Sequence, residues 1–107
     1  MRIVLDACIP ARLAAWFPEL DVRTVRQAIG TADLDDGPLL EALDGRCDLF
    51  VTVDKGIAFQ QRTAHLSYAI VLLRGRSNRL EHLIPLASRV MAGLMEFKAG
   101  EVHWVGV

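Results

Sequence analysis

Two aspartates each close a short apolar run. Ile3-Val-Leu5 leads into Asp6, and Asp48-Leu-Phe-Val-Thr-Val53 leads into Asp54. Runs of this length, rich in β-branched residues, read as buried strands. In an open parallel sheet, ligands collect outside the carboxyl ends of the strands. Neighbouring strands lie about 4.8 Å apart, so Asp6 and Asp54 can converge if their strands are adjacent. Two carboxylates that close repel each other, and a cation relieves the repulsion. Mg²⁺ and Mn²⁺ favour hard oxygen ligands and keep several waters. A metal-bound water can attack a phosphodiester while the ion stabilises charge on the phosphoryl oxygens.

Other acids cluster before the helix marked by Leu39, Leu40 and Leu43. Asp35 or Asp36 is expected to cap that helix, with Pro38 in its first turn, and the other is free to face the site from the loop. Glu41 is a reserve ligand, Asp48 begins its strand and sits at the wrong end, and Asp33 is solvated. Each strand-end acid also has a purely structural reading. Asp6 could cap a helix opened by Pro10, and Asp54 could form an Asx turn ahead of Gly56. The occurrence of both together favours a site.

Cations follow the fourth expected strand. Arg74, Arg76 and Arg79 fall within six residues, and the planar arginine fork binds phosphate oxygens in pairs. Ser77 or Asn78 could cap the next helix. Lys55 adjoins Asp54 and could neutralise a phosphate. The competing reading is a solvated charged turn. Thr52 faces away from Val51 and Val53 and reads as a core-edge hydroxyl. The histidines, His65, His82 and His103, have no zinc spacing. Cys8 is expected to be a buried structural thiol, Trp16 and Phe17 to be core, and Trp104 to be core or a subunit contact.

The elements that must position these residues alternate. Strands are expected at Ile3–Leu5, Asp21–Val25, Asp48–Val53, Tyr68–Leu73 and Glu101–Val107. Between them, Ile9, Leu13, Trp16 and Phe17 mark one helical face, Leu39–Leu43 a short helix stopped by Gly45, and Lys55–Ser67 a loop or ragged helix. Leu80 to Leu94 marks a long amphipathic helix, which Pro85 should kink or delay. This β-α alternation predicts an α/β domain with a mostly parallel sheet of about five strands and helices on both faces, a three-layer α/β/α arrangement.

At 107 residues the chain has the size of a single domain, residues 1–107. Hydrophobic residues make up 52%, enough for a buried core. The net charge of −1 excludes nucleic-acid binding by bulk charge, so a polyanion site must be a local patch. Two cysteines, Cys8 and Cys47, are too few for a secreted disulfide scaffold. No segment reads as a signal peptide or a membrane span, so a cytoplasmic location is expected.

Several short motifs carry a resemblance. Val4-Leu-Asp-Ala-Cys-Ile-Pro10 resembles the "LDExLP" opening of the short PIN-like family of the DUF5615 type. Leu34-Asp-Asp-Gly-Pro-Leu-Leu40 sits where that family has an "SDEEIL"-like segment. Phe50-Val-Thr-Val-Asp-Lys55 is similar to its "LVTxDxDF" strand end, and Val71–Asn78 to the next strand and arginine-bearing loop. The resemblance covers nearly the whole chain.

It implies a PIN-like fold related to the toxin ribonucleases of toxin–antitoxin pairs, which use clustered acids with Mg²⁺ or Mn²⁺ to cleave single-stranded RNA. Asp6 and Asp54 match the metal-site acids of that pattern, and Asp36 the aspartate of the middle motif. Ala7, Gly37, Pro38, Gly56 and Ile57 replace acids or aromatics of the pattern, so this chain has fewer acids than a full PIN set. The expected function is a Mg²⁺- or Mn²⁺-dependent, toxin-like ribonuclease with RNA as substrate, an antitoxin protein as partner and a homodimer as a further possibility. The alternative is a catalytically degenerate PIN-like module that binds RNA or a protein. A phosphoacceptor receiver would show an acidic pair after the first strand, whereas Asp6 stands alone there.

Overall fold

The computed structural model describes residues 1–106. Its five strands are β1 (Arg2–Leu5), β2 (Asp21–Thr24), β3 (Leu49–Thr52), β4 (Ala69–Arg74) and β5 (Val102–Gly106). Every pairing is parallel, and the spatial order is β2-β1-β3-β4-β5. The chain leaves β1 toward one edge and returns to the other side of β1 with β3. The order in which strands are added therefore reverses between β1 and β3, the position where open α/β sheets form a crevice.

Both faces of the sheet are covered, which is why β3 and β4 read as nearly continuous apolar runs. Ile3, Leu5, Leu49, Val51, Val71 and Leu73 pack against Leu13, Phe17 and the helix α4 (Leu80–Ala92). On the other face Val4, Phe50 and Ile70 pack against α1 (Val25–Ile29), α2 (Asp36–Leu43) and α3 (Lys55–Gln60). The result is a three-layer α/β/α fold with an all-parallel five-stranded sheet. No helix among the described residues is long and apolar enough to cross a membrane.

Four local expectations differ from the structure. The segment after Pro10 winds as a 3₁₀ helix, Ala11–Trp16, too short to hold an amphipathic α-helical stripe. Leu13 and Phe17 are buried but Trp16 is 38% exposed. The expected second strand stops at Thr24, because a reciprocal cap starts α1 there. Gln27 N donates to Thr24 Oγ1 at 3.2 Å, and Thr24 N donates to Gln27 Oε1 at 2.9 Å. α4 starts at Leu80 and runs through Pro85 without delay, with Arg79 rather than Ser77 or Asn78 at its N-cap. Pro85 lies on the solvent side, where the carbonyl deprived of a helical donor can meet water. Val107, the last residue of the expected fifth strand, lies outside the described residues.

Candidate functional site

Asp6 and Asp54 flank the crevice between β1 and β3. The ladder extends one residue past β1, with Asp6 N donating to Val51 O at 2.9 Å. That register puts Asp6 beside Thr52, on the face covered by α1, α2 and α3. Thr52 is fully buried, and its Oγ1 donates to Asp6 Oδ2 at 2.6 Å. The same oxygen accepts from Asp54 N at 3.0 Å. One hydroxyl thus ties the side chain of the first acid to the backbone of the second. Asp6 is only 8% exposed, and its other oxygen accepts from Ala7 N at 2.8 Å.

Asp54 is exposed and is the N-cap of α3. Its Oδ1 accepts from Gly56 N at 2.8 Å, so the Asx-turn reading of this residue is realised. The cap leaves Oδ2 and a second lone pair on Oδ1 outward. Neither Asp35 nor Asp36 caps α2 through its side chain. Asp35 is the N-cap residue without a side-chain hydrogen bond, and Asp36 opens the helix. The Asp36 carboxyl is instead held above its ordinary range, first by partial burial and then by the charges of Asp54, Asp6 and Asp35. Asp36 therefore shares the electrostatic field of both strand-end acids.

Gly56 provides a cradle. A Cβ on this residue would lie 3.1 Å from Asp54 Oδ1, 3.6 Å from Gln60 Oε1 and 3.9 Å from Asp36 Oδ2. Asp54, Gln60 and Asp36 thus each bring a side-chain oxygen within 4 Å of the position a Cβ would take here, and only the Asp54 contact is tight. A hard-oxygen set of one or two carboxylates plus a carbonyl suits Mg²⁺ or Mn²⁺, which keep waters in their remaining positions. A closed cage is absent: among the described residues, no group of three or more histidine, cysteine, aspartate or glutamate side chains is placed to hold a metal ion. The donors present, two carboxylates and an amide oxygen, are of the hard type that Mg²⁺ and Mn²⁺ take, and they are too few for a fully protein-ligated ion.

Cys8 departs from expectation. The residue is exposed rather than buried, and its Sγ turns in toward Asp6 Oδ2 at 3.5 Å and Thr52 Oγ1 at 3.9 Å. Burial of the sulfur pushes the thiol up, and the Asp6 charge adds to this, against a hydrogen bond from the Val53 backbone that lowers it. A protonated thiol is a poor nucleophile, so Cys8 is a neighbour of the acids rather than a catalyst.

The remaining candidates divide. Glu41 turns away to His65, with Oε1 and Nε2 2.5 Å apart. Lys55 is exposed at the start of α3, beside Asp54. Arg79 pairs with Glu81 at 3.3 Å, in the layer opposite α3. Arg76 is exposed in the loop before α4. Arg74 does not turn toward Asp54; its guanidinium carbon lies 5.1 Å from the centre of the Trp104 ring, on the β5 side. The basic loop and the acids share the carboxyl edge but no hydrogen bond or ion pair joins them among the described residues.

A cation that spacing did not single out lies closer. Arg26 on α1, together with Thr24 and Asp6, lines a cavity of 290 Å³ at the ends of β1 and β2. The five-residue α1 is too short to announce itself by periodicity. Another cavity, of 280 Å³, holds Arg2, Arg23 and Arg46 at the opposite, amino edge of the sheet. The chain matches no protein-family model, no curated protein and no solved structure.

Proposed function

We propose that this protein is a Mg²⁺- or Mn²⁺-dependent endoribonuclease acting on single-stranded RNA at the β1/β3 crevice. The observation that carries the reading is the oxygen cradle over Gly56, formed by Asp54, Asp36 and Gln60, with Asp6 fixed beside it by Thr52. Asp54 and Asp36 would hold the ion, with Asp6 completing the negative field. The bound ion would supply a nucleophilic water and charge stabilisation at the phosphoryl group. Thr52 orients Asp6 and excludes water from behind it. Arg26, across the crevice, would hold a phosphate of the incoming strand, and Lys55 one on the other side.

The resemblance to short PIN-like domains supports the substrate class. It also suggests a toxin-like role in the cytoplasm under control of an antitoxin protein.

A second reading has an observation in its favour. Asp6 and Asp54 each accept a local backbone hydrogen bond, and no closed metal cage is present among the described residues. A degenerate PIN-like module would bind RNA or a protein and leave RNA intact. Incubating single-stranded RNA with Mn²⁺ and the wild-type protein, Asp6→Asn or Asp54→Asn separates the two. The nuclease reading expects cleavage that chelator abolishes and both substitutions reduce by at least about 100-fold, the scale of losing one electrostatic stabiliser. Intact RNA with the folded wild type would leave the binding module.

A further inference from the structure

Phe59 and Trp104 are 57% and 56% exposed, yet they come from different elements and lie against each other. Their ring centres are 5.4 Å apart and the planes are tilted by 45°. Two aromatic side chains that touch without burying one another present a continuous apolar face to solvent. One cation covers part of the Trp104 ring and another adjoins Phe59, leaving the rest of the pair exposed. Arg74 lies over the Trp104 ring, and Lys55 precedes Phe59 by one turn of α3, on the same exposed side. A Cβ on Gly106 would lie 2.6 Å from Arg74 Cβ, so β4 and β5 approach there as closely as a glycine permits.

The position of this patch follows from the sheet register. Thr52 pairs with Leu72 and Leu72 with Trp104. Trp104 therefore stands on the same face as Thr52, two strand spacings away, about 10 Å. α3 bridges the interval. Asp54 caps its start, and Phe59 lies five residues on, about 7.5 Å along the axis. A chain leaving the acid cradle along the exposed side of α3 would meet Lys55, Phe59, Trp104 and Arg74.

We propose that the Phe59–Trp104 pair, flanked by Lys55 and Arg74, is a stacking platform for an unpaired base of single-stranded RNA. Every base has a π face, so an aromatic pair captures a base with little sequence preference, and adjacent cations neutralise the phosphates on either side. A duplex hides its base faces and would not engage. The two cations beside the aromatic pair, Lys55 and Arg74, complement the phosphates that flank a base in a single strand. The proposal extends the reading of the crevice as an RNA site and rests on it for the choice of ligand.

The test uses Trp104 as its own reporter. The chain has two tryptophans, so Trp16→Phe leaves Trp104 as the sole tryptophan. With Asp54→Asn and chelator present to prevent cleavage, a short oligouridylate is titrated in. The platform requires quenching of Trp104, no comparable quenching by a double-stranded RNA, and affinity about five- to a hundredfold weaker in Phe59→Ala, the range of one lost base stack. Unchanged fluorescence, or equal affinity in Phe59→Ala, overturns it. So does a dimer that Phe59→Ala converts to monomer in sedimentation, which would make the pair a subunit contact. Quenching by the oligonucleotide in a protein that never cleaves RNA with Mn²⁺ would uphold the platform and remove the nuclease reading. Cleavage by a wild type whose Trp104 ignores RNA would do the reverse.

Discussion

Thr52 Oγ1 stands between the strand-end aspartates, donating to Asp6 Oδ2 at 2.6 Å and accepting from Asp54 N at 3.0 Å. It is fully buried, so water cannot replace it. Thr52→Val keeps the shape and removes the hydroxyl. A hydrogen bond to a charged group contributes about 1.5–3 kcal/mol, and we expect a loss of that order at neutral pH. Thr52→Ser retains the donor and loses one methyl, so it should lose about 1 kcal/mol. Urea unfolding of the three proteins measures this. A loss in Thr52→Ser with none in Thr52→Val would mean that Thr52 acts by packing alone.

Asp36 should make stability fall as pH rises. Its carboxyl is raised in the folded state by partial burial and by Asp54, Asp6 and Asp35, influences that unfolding removes. Ionised Asp36 therefore opposes folding. The opposition is absent below the ordinary unfolded value of about 3.9 and sets in as pH rises through the higher folded value. Asp36→Asn should melt about 2 °C above wild type at pH 7, because a solvent-screened charge contact contributes a few tenths of a kcal/mol. The advantage should vanish below about pH 4. A gap that persists in acid would assign it to something other than ionisation.

How much of this was legible beforehand depended on the range of the interaction. β1, β3 and β4 could be read from Ile3–Leu5, Leu49–Thr52 and Ala69–Leu73, because strands buried on both faces are written as apolar runs. Asp6 and Asp54 followed as strand-end acids. The role of Thr52 was hidden, since it depends on β1 and β3 being adjacent and in one register. The cap that begins α1 lies in Thr24 and Gln27, but its five residues leave no periodic signal. Arg74 was legible as a cation after a strand, yet its direction is set by Trp104 across the β4–β5 pairing, which local sequence does not contain.

Cys8 offers a chemical probe of Asp6. Burial dominates the rise of the thiol, and the Asp6 charge contributes beyond it. Asp6→Asn removes that charge and should raise the thiolate fraction at fixed pH. We expect iodoacetamide alkylation of Cys8 at pH 7.5 to quicken by about two- to fivefold, the scale of one screened charge contact. Cys47 is buried and burial pushes its thiol up to about 12, so it should remain unmodified and serve as the internal control. An unchanged Cys8 rate would mean that the 3.5 Å approach to Asp6 is not kept in solution.

Gly56→Ala separates the cradle from the fold. The added methyl would sit 3.1 Å from Asp54 Oδ1 and project into the space between Asp54, Gln60 and Asp36. Within a helix, alanine is favoured over glycine by up to about 1 kcal/mol, which offsets the crowding of the carboxylate. The backbone N–H of residue 56 still reaches Asp54. We therefore expect a melting temperature within about 4 °C of wild type. A divalent ion bound at ten times its Kd stabilises the folded state by about 1.4 kcal/mol. Mn²⁺ should accordingly raise the melting temperature of the wild type by several degrees, and that of Gly56→Ala and Asp54→Asn by much less. Wild-type protection retained in both Gly56→Ala and Asp54→Asn would place the ion elsewhere. Protection lost in Asp54→Asn alone would narrow the site to the outward oxygens of Asp54.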